Sequence, residues 1–324
     1  METKDSDVLT FGETMLRLSP PGRLRFGQSD TLTAWVAGSE SNVAAALTAL
    51  GVSVTWVSRL PDNEMGRKVA CTLRACGVDV SSVVWTDPAD RVGLLYTEAA
   101  APPRPALVIY DRAHSAASHL SPADLADALF ATHRHLHVTG ITPALSPTCA
   151  ETTGDAVRCA RTAGLTISLD INYRAKLWTP EAACSALSPL ASGVDVLICS
   201  RDDAARVFGE AGDDAERAES LRTRFDARWV VLTVGGDGAV ICDDTACVAV
   251  PAVPIETTVD RFGSGDALAA GILAGWLQDL GLEDSLRLGA ATAALKRTIP
   301  GDLLLATRAE IDAVLAQDTG ANWR

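Results

Sequence analysis

From Ser121 onward, strand-like apolar runs alternate with helix-length segments, and no other feature restricts the possible folds of this chain as much. Strand-like runs at 136–139, 165–170, 194–199 and 229–234 are separated by helical patterns near 123–131, about 148–163 and between 201 and 225. Parallel neighbours need a crossover of about a dozen residues, usually a helix. This rhythm therefore predicts an α/β domain with a mostly parallel sheet covered by helices on both faces. A hairpin over 239–242 and 247–250 follows, and three helices end the chain. The first third is less regular. It reads as a strand over 8–19, an Ala-rich helix over 43–50 capped by Ser41-Asn42 and stopped by Gly51, a strand over 54–60, and a helix over 64–76. Two further strand-like runs occupy 92–98 and 106–112. No repeat or low-complexity linker interrupts the chain, so 1–324 reads as one domain. A small accessory sheet would have to come from discontinuous segments, about 13–38 and 91–115.

Charge excludes several classes of partner. The formal net charge of -13 argues against nucleic acid and anionic membranes, both of which call for a basic surface. No apolar run approaches the roughly 18 residues of a membrane span, and the polar start from Met1 to Asp7 is unlike a signal peptide. A cytoplasmic protein is expected. The lysines are Lys4, Lys68, Lys176 and Lys296, so arginine carries nearly all the positive charge. That bias fits a salt-adapted (halophilic) proteome and equally a GC-rich codon usage. The 8 cysteines form no Cys-x-x-Cys pair and are expected as reduced, buried small side chains. Cys242 and Cys247 flank a hairpin turn and could face each other, but without a secretory leader the thiol form is expected.

The chemistry concentrates in Asp260-Arg261-Phe262-Gly263-Ser264-Gly265-Asp266, which runs into the apolar stretch 267–280. A helix start carries unpaired N–H groups and about half a positive charge, and glycines let an anion approach it. The carboxylate of Asp266 could take a proton from an attacking hydroxyl. These are the parts needed to move a phosphoryl group onto an alcohol, although the same residues also suit ordinary helix capping. Neither a Walker loop nor a Gly-x-Gly-x-x-Gly fingerprint is present, so the P-loop and Rossmann readings lose most of their weight. His133, His135 and His137 alternate as a strand would, but no carboxylate accompanies them. A structural or surface histidine run is expected there rather than a metal site.

Ala37-Gly38-Ser39-Glu40-Ser41-Asn42-Val43-Ala44, with Gly51 and Asp62-Asn63-Glu64-Met65-Gly66, resembles the N-terminal signature of the ribokinase-like (PfkB) sugar kinases. Residues 260–271 resemble their C-terminal signature, so the resemblance spans nearly the whole chain. It implies a three-layer α/β/α sandwich with a small β-sheet lid, and ATP with Mg2+ or another divalent cation as cofactors. It also raises K+ as a further cofactor and implies a homo-oligomer formed through the lid. Phe11 to Leu18, Tyr110-Asp111-Arg112 with Ser115-Ala116, Ser168 to Arg174 with Leu177-Trp178, and Ala294-Leu295-Lys296 look most like the 2-keto-3-deoxygluconate kinases.

By that resemblance Asp266 is the base and the turn of Gly263, Ser264 and Gly265 is the anion hole. A sugar acid would meet Gly38, Asn42, Tyr110, Arg112, Asp170, Asn172 and Arg174. Arg112 and Arg174 would clamp its carboxylate, because guanidinium and carboxylate match in charge and geometry. Plainer roles exist for each: a strand-end charge for Arg112, an ion pair with Asp170 for Arg174, lid core for Tyr110, a turn for Gly38 and a helix cap for Asn42. The nucleotide would lie along Ser200, Thr233, Gly235 and Gly238, with the anion-hole turn at its phosphates and the helix around 290–294 at its base. Three departures stand out. Ser200-Arg201-Asp202-Asp203 replaces the family's Asn-x-x-Glu, which leaves the metal ligands unknown. Arg261 replaces a small residue or proline beside the monovalent-cation site, and Leu95 falls where relatives often offer a tyrosine. Other sugar kinases of the fructokinase or ribokinase type, and a binding regulator without catalysis, are the competing readings.

Overall fold

The long apolar runs of the alternating region become strands buried on both faces, as a parallel sheet between two helical layers requires. The structure, a computed structural model, describes residues 6–318. In chain order the strands are β1 (Ser6–Phe11), β2 (Met15–Ser19), β3 (Thr33–Ala37), β4 (Val54–Val57), β5 (Arg59–Pro61), β6 (Val84–Thr86) and β7 (Leu94–Glu98). They continue as β8 (Leu107–Asp111), β9 (His133–Thr139), β10 (Thr166–Asp170), β11 (Val196–Ser200), β12 (Trp229–Thr233), β13 (Ala239–Cys242) and β14 (Cys247–Val250). The helices are α1 (Ser39–Ala49), α2 (Glu64–Ala75), α3 (Asp127–Thr132), α4 (Pro147–Thr162) and α5 (Pro180–Ala191). The rest are α6 (Arg201–Phe208), α7 (Asp214–Phe225), α8 (Ser264–Leu277), α9 (Leu282–Arg297) and α10 (Arg308–Asp318).

The central sheet has the order β14-β13-β12-β11-β10-β9-β1-β4, parallel from β4 to β12 and closed by an antiparallel hairpin. Alternate residues feed two cores. Val8, Trp56 and Ile198 pack with α1, α8 and α9 on one face, while Leu9, Leu136 and Leu169 pack with α4, α5 and α7 on the other. The chain steps from β1 to β4 on one side and later returns through β9 on the other. The carboxyl ends of β1 and β9 therefore flank a topological switch point, where open α/β sheets place their ligand crevice. A smaller four-stranded sheet, β3-β2-β7-β8, stands beside that edge. Met15, Ala37, Leu95 and Tyr110 share one of its faces and line a cleft, whereas Tyr96 and the 47 % exposed Ile109 share the other.

Several expectations are corrected. The strand expected over 8–19 breaks at Gly12-Glu13-Thr14, because the chain leaves the central sheet there and β2 joins the smaller one. A Cβ on Gly12 would lie 2.4 Å from the buried Glu40 carboxyl, so any side chain there would have to displace that carboxyl from its bonds to Thr139 and Thr142. The strand expected over 54–60 likewise divides at Ser58. Helix α1 starts at Ser39 with Gly38 as its N-cap, so Ser41 and Asn42 lie inside the first turn and do not cap it. Helix α5 was not expected. Thr179 caps it, and Pro189 falls in its last turn.

Cys242 and Cys247 are joined in a disulfide rather than reduced, since the hairpin register sets them opposite each other with a Cα separation of 4.1 Å. The histidines of β9 are buried. His135 bonds Thr166 and Ser168, His137 shares Ser168, and burial lowers both pKa values to about 3. They are neutral structural groups, and among the described residues no group of three His, Cys, Asp or Glu could hold a metal ion. Among the described residues no helix is long and apolar enough to cross a membrane.

Candidate active site

The start of α8 is held at the crevice by tight helix packing. A Cβ on Gly271 would stand 2.6 Å from Gly289 Cα, so α8 and α9 touch backbone to backbone. Gly263, the N-cap, has φ 76, and the carbonyl of Asp302 lies 1.9 Å from where its Cβ would be. Only glycine serves there. The turn brings the start of α8 to the crevice, with Asp266 in the helix's first turn.

Asp266 is anchored from α1. Ser39 Oγ donates to its Oδ1 at 2.6 Å and Asn42 Nδ2 to its Oδ2 at 2.7 Å, while Asn172 Nδ2 donates to Ser39 Oγ at 2.8 Å. Asn42 therefore holds Asp266. Burial pushes the Asp266 pKa up, opposed by the bonds from Ser39 and Asn42 and by the fields of Arg174 and Lys296. Asp170 is pushed up to about 8 by burial and by the charges of Asp266 and Asp203, and Asp203 is raised chiefly by burial. Three carboxylates thus gather around one opening, each resisting charge.

Three adjoining cavities meet at this point. The first, about 100 Å³, is lined by Gly38, Asn42, Leu95, Tyr110, Arg112 and Arg174, with Asp266 and Asp302 on its wall. A Cβ on Gly38 would lie 2.4 Å from Glu13 O and 2.8 Å from Thr14 Cα, so glycine is what lets the start of α1 pack against the 13–14 backbone. Arg112 is not a solvated strand-end charge. Its Nε donates to Glu13 Oε2 at 2.7 Å, Glu13 is held again by Ser115 Oγ at 2.5 Å, and the guanidinium stands 5.5 Å from the Tyr110 ring centre. Arg174 differs. It is exposed, no ion pair ties it to Asp170 among the described residues, and it acts on Asp170 and Asp266 only through its field.

The second cavity, about 520 Å³, runs from Asp170, Asn172 and Arg174 past Ser200 and Asp203 to residues 261–266. Ser200 Oγ accepts from Asp203 N at 3.0 Å, so this serine caps α6 as well as lining the space. The third, about 350 Å³, holds Thr233, Gly235 and Gly238 on one side and Ala290, Ala293 and Ala294 on the other. Those alanines leave a flat apolar wall. Gly263 and Asp266 border the first and second cavities, and Ser264 and Gly265 border the second and third. The residues expected as base, anion hole, sugar contacts and nucleotide contacts all line this continuous groove. Glu13, Ser39 and Asp302 do so too, although no local pattern assigned them roles.

Behind the turn lies a buried charge cluster. Asp260 and Asp302 face Arg17, and Lys296, fully buried, donates to Ile299 O at 3.0 Å. Burial raises Asp302 to about 7. Both Asp260 oxygens are engaged, Oδ1 by Phe262 N and Oδ2 by Arg17 and Gly301 N. Two side-chain cations thus already neutralise the acids beside Arg261, a poor fit for an added K+.

Known proteins share this architecture. Residues 5–306 match the family described as pfkB family carbohydrate kinase. The 2-dehydro-3-deoxygalactonokinase of Haloferax volcanii is 42% identical over 96% of both chains. The 2-dehydro-3-deoxygluconokinase of Bacillus subtilis is 32% identical over 92% of this chain and 91% of its own. The crystal structure of the 2-dehydro-3-deoxygluconokinase of Thermotoga maritima superposes with a TM-score of 0.90 at 32% identity, covering 96% of this chain and 98% of that one. With a groove built around a carboxylate at a helix start, and a family match over nearly its whole length, the chain belongs to the pfkB family of carbohydrate kinases.

Proposed function

We propose that this kinase transfers the γ-phosphate of ATP to the terminal hydroxyl of a 2-keto-3-deoxy sugar acid, giving 2-keto-3-deoxy-6-phosphogluconate from the gluco epimer. Arg174 carries the reading. Its guanidinium, which has no side-chain partner among the described residues, lines the same cavity as Asp266 and suits a carboxylate that neutral sugars lack. Arg112, oriented by Glu13, supplies a second charge on the same wall. The relatives from Haloferax volcanii and Bacillus subtilis, named for the galacto and gluco acids, support the same substrate class.

In this reading Asp266 accepts the hydroxyl proton, with Ser39 and Asn42 fixing its orientation. Its raised pKa brings it closer to the working range of a general base. The amides at Gly263, Ser264 and Gly265 hold the transferring phosphoryl group, and the third cavity takes the adenine. Asp170 and Asp203 would be the protein's oxygen donors to magnesium, which binds through one or two carboxylates together with substrate phosphates and so needs no set of three protein ligands. Bound with the nucleotide, it supplies charge neutralisation at the phosphates. The smaller sheet acts as the lid, excluding water from the first cavity.

The test is ADP release with Mg-ATP across both C4 epimers of the keto-deoxy acid, gluconate, fructose and ribose. Turnover confined to the keto-deoxy acids is expected, and equal turnover of fructose or ribose would overturn the clamp. Asp266→Asn is expected to lower kcat by about 10²- to 10⁴-fold with the melting midpoint kept. Unchanged kcat removes Asp266 from the role of base.

A further inference from the structure

Arg17 is a buried arginine that takes no part in the chemistry above. It lies on the cleft-facing side of β2, in register with Trp35 and Leu95, and is 3% exposed. Its Nη2 donates to Asp260 Oδ2 at 2.5 Å and its Nε to Asp302 Oδ2 at 2.6 Å. The guanidinium carbon stands 4.6 Å from the centre of the Phe262 ring. These three contacts belong to one object. Asp260 opens the motif turn, Phe262 lies within it, and Asp302 is the residue whose carbonyl closes over Gly263. Asp260 extends the connection, accepting from Phe262 N and from Gly301 N, both at 3.1 Å. Trp35 of β3 adds a contact, since its ring packs where a Cβ on Gly301 would stand.

One guanidinium, delivered by the smaller sheet, therefore grips both sides of the cradle around the anion-hole amides. Stability alone does not account for it. Desolvation offsets most of the attraction in a buried ion pair, and an apolar side chain of similar volume often serves the fold as well. What an apolar side chain lacks is direction. The planar fork of arginine holds two carboxylates at fixed angles, and an ammonium acts only as a point charge. Lys296 shows the contrast, because it neutralises the same acids from within α9 without touching the turn from the smaller sheet.

We propose that Arg17 is a positioning residue for phosphoryl transfer: it sets the 260–263 turn from the smaller sheet, so that the anion hole takes its working shape when that sheet is seated on the cleft. The inference rests on the phosphotransferase reading of the site. The same sheet carries Tyr110 and Arg112 into the sugar cavity, so Arg17 links closure over the sugar to alignment of the phosphate.

Steady-state kinetics and thermal melts of Arg17→Gln and Arg17→Lys test it, each assayed well below its own melting midpoint. A shift of the turn by about 1 Å is enough to cost roughly 10²-fold in rate. Arg17→Gln is therefore expected to lose about that much kcat, with the KM values for sugar acid and ATP little changed. Arg17→Lys keeps the charge and loses the fork, so its kcat should fall part of the way while its melting midpoint stays near that of the parent. Wild-type kcat in folded Arg17→Gln overturns the proposal. So does a fall in kcat matched by equal rises in both KM values, which would mean that the whole cleft had loosened. If Arg17→Gln does not fold, wild-type kcat in Arg17→Lys overturns it alone. Absence of ADP release from the unmodified protein with every sugar acid would instead remove the kinase substrate reading, and is read before any variant is made.

Discussion

Replacing Gly263 by alanine separates the shape of the anion hole from its charge. The residue has φ 76, a left-handed conformation that costs an L side chain about 1–2 kcal/mol. The added Cβ would also stand 1.9 Å from the carbonyl oxygen of Asp302, well under the 3.0 Å that real Cβ atoms respect. The turn or the 300–302 loop must therefore yield by about 1 Å, a displacement that costs on the order of 10²-fold in rate when it occurs at reacting groups. In free energy this is roughly 2.7 kcal/mol of transition-state stabilisation. Gly164→Ala is the matched control. Its φ is 71, nothing lies within 4 Å of its Cβ, and it sits between α4 and β10, away from the groove. Urea titration and ADP-release kinetics on both variants give the comparison. Both should lose about 1–2 kcal/mol of stability from the backbone conformation, Gly263→Ala should lose more because of its clash with Asp302 O, and only Gly263→Ala should lose turnover. If Gly263→Ala turns over as fast as Gly164→Ala, the anion-hole assignment is wrong.

Arg174→Ala should raise the sugar-acid KM by about 10- to 100-fold, the scale of about 1.5–3 kcal/mol for a lost hydrogen bond to a charged group, while the ATP KM moves far less. Equal rises in both constants would show that Arg174 serves the cleft and not the carboxylate. Asp170 gives a pH signature. Its folded-state pKa is raised from 3.8 to about 8, so the folded protein binds the extra proton, and stability falls as pH rises through that window. In melts without magnesium or nucleotide, Asp170→Asn should exceed the parent in melting midpoint near pH 8, and the gap should close towards pH 4. A gap that stays constant across the range would contradict the shift.

The central sheet was legible because its signals are local. Apolar runs of strand length, helix-length spacers and Gly or Pro punctuation each fit within a window of a few residues, and β9 to β14 appear where those signals lie. β3 and α5 were missed for physical reasons. Thr33–Ala37 becomes a strand only because β2 offers its edge, and Pro189 reads as a breaker although it sits in the last turn of α5, where the helix is ending anyway. The motif turn was readable for the same reason as the sheet, since its glycines, serine and carboxylate are contiguous. Its supports were not. Ser39 reaches Asp266 across 227 positions of sequence, and Arg17 reaches Asp260 and Asp302 across 243 and 285.

The two arginines proposed as a clamp show where reading by pattern ends. Both stood out as charges near strand ends, and both carried a plausible plainer role. The structure separates them by their neighbours. Arg112 is held by Glu13, 99 positions away, so it is oriented before any ligand arrives and its charge is already half answered. Arg174 has no such partner among the described residues, and its field acts on Asp170, Asp203 and Asp266. A substrate bearing its own carboxylate would compete with those acids for Arg174 while placing its hydroxyl at Asp266. In the proposed reaction, binding the sugar acid would draw the guanidinium's field away from Asp266 and raise that carboxylate's affinity for a proton. Reaction class follows from a contiguous motif, but whether an arginine is available to a substrate depends on residues distant in sequence. For that reason the proposed acid specificity would rest on the tertiary neighbourhood of Arg174.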